Sequence, residues 1–128
     1  MTSSHITVYG IPNCDTVKKA RAWLTSQGLA YDFHDFKKQG VPAAALPGWL
    51  AAVGRSKLLN RQGTTWRKLD PQTQAAVTDD LRASELMQAH ASVIKRPVVE
   101  WRQGERTQIT VGFDPVQWEA LHTGAQPD

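Results

Sequence analysis

Apolar positions along the chain change period several times, and each change marks an element. "ITVYGI", Ile6 to Ile11, is β-branched and aromatic and stops at Pro12, which predicts a strand. Immediately after it Val17, Ala20, Leu24 and Trp23 recur at helical spacing, with Lys18, Lys19 and Arg21 on the opposite face, and Gly28 is a fitting stop. "LAYDFHDF", Leu29 to Phe36, alternates, with Leu29, Tyr31 and Phe33 on one side, and predicts a second strand. Strand, helix and strand in so short a stretch form a βαβ unit, with two parallel strands and a right-handed crossover.

The middle of the chain, from about 40 to 92, reads as mainly helical. Pro47 opens a short helix that ends at Gly54, and Pro71 opens another through Gln74 and Val77. "DDLRASELMQAHASVI" predicts one more, containing Leu86, Met87 and His90, whereas "RSKLLNRQGTTWRKLD" has no clean period and is expected to be a loop. The pattern then returns to strands: "PVVEW" and "TQITVGF", joined at "RQGE", form a hairpin turning at Gly104. "DPVQWEAL" is a closing helix capped by Asp114 with Pro115 at its first position, and "HTGAQPD", 122–128, is expected to be a frayed, flexible tail. This order is that of an α/β, thioredoxin-like fold: one domain over 1–128, with a helical insertion at about 40–92.

The totals agree. A chain of 128 residues, 41% hydrophobic and 21% charged, suits one globular domain with its own core. No apolar run approaches the length of roughly 18–20 residues that a membrane span needs, and the N-terminus shows no secretory pattern. The single cysteine excludes an internal disulfide and points to a reducing, cytoplasmic setting. The net charge of +3 is spread from Lys18 to Arg96 without a dense basic stripe, which disfavours nucleic acid as a partner and leaves room for a cationic pocket for a small anion. His5, His34, His90 and His122 lack metal-ligand spacing, so neither a metal nor a bound cofactor is expected.

Chemistry is concentrated in three stretches. In "GIPNCDTVKKA", Cys14 sits between the first strand and the first helix, where unpaired backbone N–H groups and the helix dipole favour a thiolate. The Thr16 hydroxyl and Lys18 would help; Asp15 would oppose. The alternative is a small buried hydrophobe, a common use of free cysteine. In "SVIKRPVVEW", Pro97 begins a strand directly after Arg96, which would be a trans proline and a solvated arginine unless the fold brings them to the thiol. In "LLNRQGTTWRKL", Arg61, Thr64, Thr65 and Arg67 offer donors to an anion, or form a solvated loop anchored by Trp66.

In order and spacing, "ITVYGIPNCDTVKKARAWL", "YDFHDFKKQG", "LLNRQGTTWRKL" and "IKRPVVEW" resemble the arsenate reductase/Spx family, in particular its YffB-like branch of arsenate-reductase-like thiol reductases. The resemblance runs from about Ile6 to Leu121. It implies a thioredoxin-like fold with a helical insertion, a catalytic cysteine after an asparagine (Cys14 after Asn13), and an arginine before a cis-proline (Arg96 and Pro97) that shapes the groove for a thiol substrate. Of the three arginines that hold the oxyanion in arsenate reductases, one matches Arg96. A second falls nearest Arg61, flanked by Asn60 and Gln62. The third is expected near "ITVGF", where Gly112 and Phe113 stand; Arg106 comes earlier in that strand. This departure counts against arsenate. Spx regulators carry a CxxC switch, and here its second position is Val17.

The implied function is a monothiol, glutathione-dependent thiol-disulfide reductase. Cys14 is the nucleophile, Asn13 and Thr16 stabilise the thiolate, Arg96 stabilises charge and binds substrate, Pro97 shapes the groove and Arg61 adds an anion contact. With no second cysteine, an outside thiol must release the mixed disulfide, and glutathione is the expected external reductant. Its partners would be glutathione and a disulfide or oxyanion substrate, acting on a monomer. The alternatives are an Spx-like, non-catalytic regulator that contacts RNA polymerase, which the missing CxxC disfavours, and a weak arsenate reductase.

Overall fold

The computed structural model describes residues 4–124. In chain order the elements are β1 (Ser4–Gly10), α1 (Asp15–Ser26), β2 (Asp32–Asp35), α2 (Phe36–Gln39), α3 (Leu46–Val53), α4 (Arg55–Leu58), α5 (Thr64–Lys68), α6 (Pro71–Ala75) and α7 (Asp80–Ala89), a 3-10 turn (Ala91–Val93), β3 (Val98–Gln103), β4 (Arg106–Val111), α8 (Pro115–Glu119) and a π-helical turn (Ala120–Gly124). They form two compact units: residues up to His34 together with those from Arg96 onward, and Asp35–Lys95.

The first unit carries the sheet, ordered β2-β1-β3-β4, which is the α/β, thioredoxin-like arrangement expected from the order of elements. β1 pairs antiparallel with β3, from Ser4↔Gln103 to Tyr9↔Val98, and β3 pairs antiparallel with β4. One sheet face packs on α1 and α8 through Val8, Val99 and Trp101 with Ala20, Leu24 and Trp118. Trp118 sits at the centre, meeting Trp101 at 5.1 Å, Phe113 at 4.9 Å and Trp23 at 5.8 Å, each near edge-to-face, the geometry that aromatic quadrupoles favour. The buried Trp101 indole N–H donates to Thr110 Oγ1 at 3.0 Å. Asp114 starts α8 as expected, accepting from the Val116 and Gln117 N–H groups.

Helix α1 buries the three positions its spacing predicted, Val17, Ala20 and Leu24. It ends in a Schellman turn: Leu29 N–H donates to the Leu24 carbonyl, Gly28 N–H to that of Thr25, and Gly28 takes φ +71°. This changes the second strand. Leu29 serves as the helix's hydrophobic C-terminal contact, so the strand begins only at Asp32, although Leu29, Tyr31 and Phe33 do pack on the core. At its other end the strand gives way to α2 because Asp35 caps that helix through Lys37 N–H.

The second unit is helical. Its buried residues include Phe36, Leu46, Trp49, Leu50, Leu58, Leu59, Ala83, Leu86, Met87, Val93 and Ile94. α3 ends at Gly54 (φ +85°), as the sequence indicated, and Asp70 and Asp79 cap α6 and α7. The stretch expected to be a loop instead contains α4 and α5. Each is a single turn or little more, too short to show a period. Between them Leu59 bridges Ile94, with Asn60 N–H donating to the Val93 carbonyl at 2.7 Å and Lys95 N–H to that of Leu58 at 2.8 Å. His90 lies just outside α7, as its C-cap. At the C-terminus, 122–124 continue in the π turn, and the rest of the expected tail lies outside the described residues.

Close packing at the end of β1 yields a stability prediction. Gly10 is buried, and a methyl group there would lie 2.9 Å from Cγ2 of Val17, a fully buried β-branched residue in the first turn of α1. Gly10→Ala is expected to lower stability by about 1–3 kcal/mol through overpacking, read as a shift of the urea unfolding midpoint.

Candidate functional site

The site begins where β1 ends. After Gly10 the chain turns through Pro12 and Asn13, and Cys14 becomes the N-cap of α1 with extended backbone (φ −129°, ψ 125°). Its carbonyl accepts the Lys18 N–H at 2.9 Å, closing the first helical turn. That leaves the N–H groups of the first turn without helical partners, on the side of the thiol. Cys14 is partly buried. Burial is the largest single influence on the thiol and opposes its ionisation, but it is outweighed by the Val17 N–H, by a hydrogen bond and the positive charge from the Arg96 guanidinium, and by the Thr16 N–H. The net result is a thiol pKa below its ordinary value.

Arg96 arrives from the other strand. It lies two residues before β3, and the Arg96–Pro97 peptide bond is cis, as the resemblance implied. Pro97 is buried, and its carbonyl accepts the Gly112 N–H at 2.9 Å. Gly112 has φ +79°, a conformation that suits glycine, so within the stretch near which the resemblance placed a third arginine the chain makes a backbone turn tied to Pro97.

Cys14, Thr16 and Arg96 therefore meet, but the part played by Thr16 differs from expectation: its backbone N–H acts on the sulfur, while the residue itself is exposed. Asn13 is exposed in the turn and is not among the groups that shift the thiol; neither is Lys18. Arg61 belongs to the second unit, exposed, with its guanidinium carbon 5.4 Å from the centre of the Trp66 ring. The second unit also has an open concavity of about 300 Å³ between α6 and α7, lined by residues including Val77, Arg82, Leu86 and His90; none of the expected site residues lines it. The Val17 and Thr16 N–H groups are the unpaired helix-start donors that the position of Cys14 led one to expect, now assigned to particular residues. Only the N-cap position of Cys14 signals them, since every helix start presents such donors. Among the described residues no group of three or more His, Cys, Asp or Glu side chains is placed to hold a metal ion, and no helix is long and apolar enough to cross a membrane.

These contacts fix how alkylation of the thiol depends on pH. Only the thiolate reacts, and each group that stabilises it keeps the reaction running at lower pH. Arg96→Ala removes a charge-assisted bond and leaves the two N–H donors. The rate of iodoacetamide alkylation at pH 6 is expected to fall roughly three- to tenfold, with the rate above pH 10 unchanged.

The surroundings of Cys14 can be set beside known proteins. A solved structure described as a YFFB protein is 48% identical, covering 90% of this chain and 96% of its own, with a TM-score of 0.81. An arsenate reductase (ArsC) related protein from Brucella melitensis is 47% identical, covering 93% and 95%, with a TM-score of 0.67. An uncharacterised protein of Haemophilus influenzae is 34% identical over 90% of this chain and 96% of its own. The global transcriptional regulator Spx of Streptococcus agalactiae is 25% identical over 85% of this chain and 77% of its own. The family model for the ArsC family matches residues 9–121, nearly the whole of both units, and the chain belongs to the ArsC family.

Proposed function

We propose that this protein is a monothiol oxidoreductase that uses glutathione to reduce a disulfide substrate. The observation that carries the reading is the pairing of the chain's single cysteine with Arg96 and two backbone N–H donors at the start of α1. Such a thiol is nucleophilic at neutral pH. The Cys14 thiolate attacks one sulfur of the substrate disulfide, forming a mixed disulfide and expelling the other sulfur as a thiolate. Glutathione thiolate then attacks the substrate-derived sulfur, restoring the Cys14 thiolate. A second glutathione reduces the resulting glutathione mixed disulfide. In sum, one disulfide and two glutathione molecules become two substrate thiols and oxidised glutathione, and Cys14 ends as it began.

Arg96 is assigned two tasks, holding the thiolate and binding a glutathione carboxylate. The Thr16 and Val17 N–H groups hold the thiolate when Arg96 is engaged with substrate. Nothing in this cycle uses an oxyanion, which agrees with a glycine at position 112. Glutathione-coupled turnover of arsenate that is lost in Arg96→Ala would replace this reading with arsenate reduction.

The similarity to Spx regulators supports a second reading, a module that binds RNA polymerase without catalysis. Val17 occupies the second CxxC position and is fully buried in the core, so this chain lacks the dithiol switch at that site. Polymerase recovered equally by wild type and Cys14→Ser, with no thiol chemistry in either, would favour that reading.

The deciding experiment is intact mass after incubation with oxidised glutathione from pH 5 to 9. Wild type is expected to gain one glutathione adduct below neutral pH, reversed by reduced glutathione, and Cys14→Ser none. An adduct that forms only as pH passes about 8.5, as for an unactivated thiol, would sink the proposal.

A further inference from the structure

The sheet face opposite the aromatic core carries a buried carboxylate. Glu100 lies between Val99 and Trp101, which face that core, so strand alternation turns it to the other side, where it is only 6% exposed. The Tyr9 hydroxyl donates to Glu100 Oε1 at 2.9 Å, and the Arg102 guanidinium donates to the same oxygen at 3.2 Å. The His34 ring covers Tyr9, with centroids 5.0 Å apart. Burial, and then the bond to Glu100, push the Tyr9 phenol far above its ordinary range, so it remains a donor at working pH. Taking a carboxylate out of water is costly, and well-packed apolar residues in such a place are often as stable or more so. The network therefore calls for a reason other than stability.

Its location supplies one. The β1–β3 register ends at Tyr9↔Val98. Beyond that pair, β1 runs on to Cys14 and β3 is preceded by Arg96, so the sulfur and the guanidinium sit on two segments that diverge from the same end of the ladder. The Tyr9 side chain does not bond to its own partner. It reaches diagonally to Glu100, whose partner on β1 is Thr7, and so ties the last rung of the ladder, Tyr9↔Val98, to the rung before it on the same face. We propose that the Tyr9–Glu100 hydrogen bond is a positioning clamp that holds the ends of β1 and β3 together and thereby holds the Cys14 sulfur against the Arg96 guanidinium. Tyr9 and Glu100 are positioning residues: they act on the thiol only through the strands. The inference rests on the reading of Cys14 as a reactive thiol.

The test is the pH profile of Cys14 alkylation by iodoacetamide, on the full chain. Tyr9→Phe removes the hydroxyl alone. At pH 6 it is expected to slow alkylation about threefold or more, as the thiolate fraction falls, and to leave the plateau above pH 10 unchanged. In an Arg96→Ala background, Tyr9→Phe adds no further slowing, because the contact it positions is gone. Glu100→Gln keeps an acceptor for Tyr9 while losing the negative charge, and is expected to alkylate at pH 6 no more slowly than wild type. Should Tyr9→Phe fail to fold, Glu100→Met serves in its place. It removes a negative charge, which alone would favour the thiolate, so slower alkylation at pH 6 reports the lost clamp. The proposal is overturned if Tyr9→Phe loses thermal stability but keeps the wild-type profile, or if it slows alkylation equally with and without Arg96. A wild-type profile with its midpoint at about 8.5, that of an ordinary thiol, overturns the reading of Cys14 as well and is told apart by needing no variant.

Discussion

The antiparallel pairing of β1 with β3 is the constraint on which the candidate site depends. Cys14 and Arg96 are far apart in sequence, and the guanidinium bonds to the thiol only because the fold brings them together. The ladder from Ser4↔Gln103 to Tyr9↔Val98 fixes which end of β1 meets which end of β3. A slip by one residue would turn Val8, Val99 and Trp101 away from α1 and α8 and break the aromatic cluster around Trp118. Packing of one sheet face thus enforces the register, and the register delivers the arginine to the thiol. The energy that specifies the site comes mostly from apolar burial some distance from it.

At the site the balance is between opposing local effects. Partial burial raises the cost of a thiolate, and no single donor offsets that cost; the helix N–H groups and Arg96 do so together. The arrangement gives a partly buried thiol that ionises more readily than an ordinary one. It also accounts for the lone cysteine. The position three residues on, where a resolving thiol would stand, is Val17, which closes the packing between α1 and the end of β1 at Gly10. In this chain that position serves the core.

Much of the fold was legible because its signals are local. Val17, Ala20 and Leu24 mark the buried stripe of α1, Gly28 its stop, Gly104 the hairpin turn and Asp114 the start of α8. Where elements are a turn long, the signal fails: α4 and α5 leave no period in "RSKLLNRQGTTWRKLD". The late start of β2 was hidden for another reason. Leu29 suits a strand by type, and only the Schellman hydrogen bonds reveal that it belongs to the end of α1.

For the site, the sequence by itself named the candidate thiol, since the chain has one cysteine and it stands at a strand-to-helix junction, and the long motifs around Cys14 and Arg96 carry the ArsC family. The tertiary structure decided which groups act on that thiol. It chose the backbone N–H groups of Thr16 and Val17 over the Thr16 hydroxyl and the Asn13 side chain, placed Arg96 at the sulfur, put Arg61 beside Trp66 and tied Tyr9 to Glu100. The physical reason is range. Periodicity and capping act over a few residues and are written in neighbouring letters, whereas a hydrogen bond between β1 and β3 joins positions some ninety residues apart (Tyr9 and Glu100 are separated by 91) and exists only once the chain has folded.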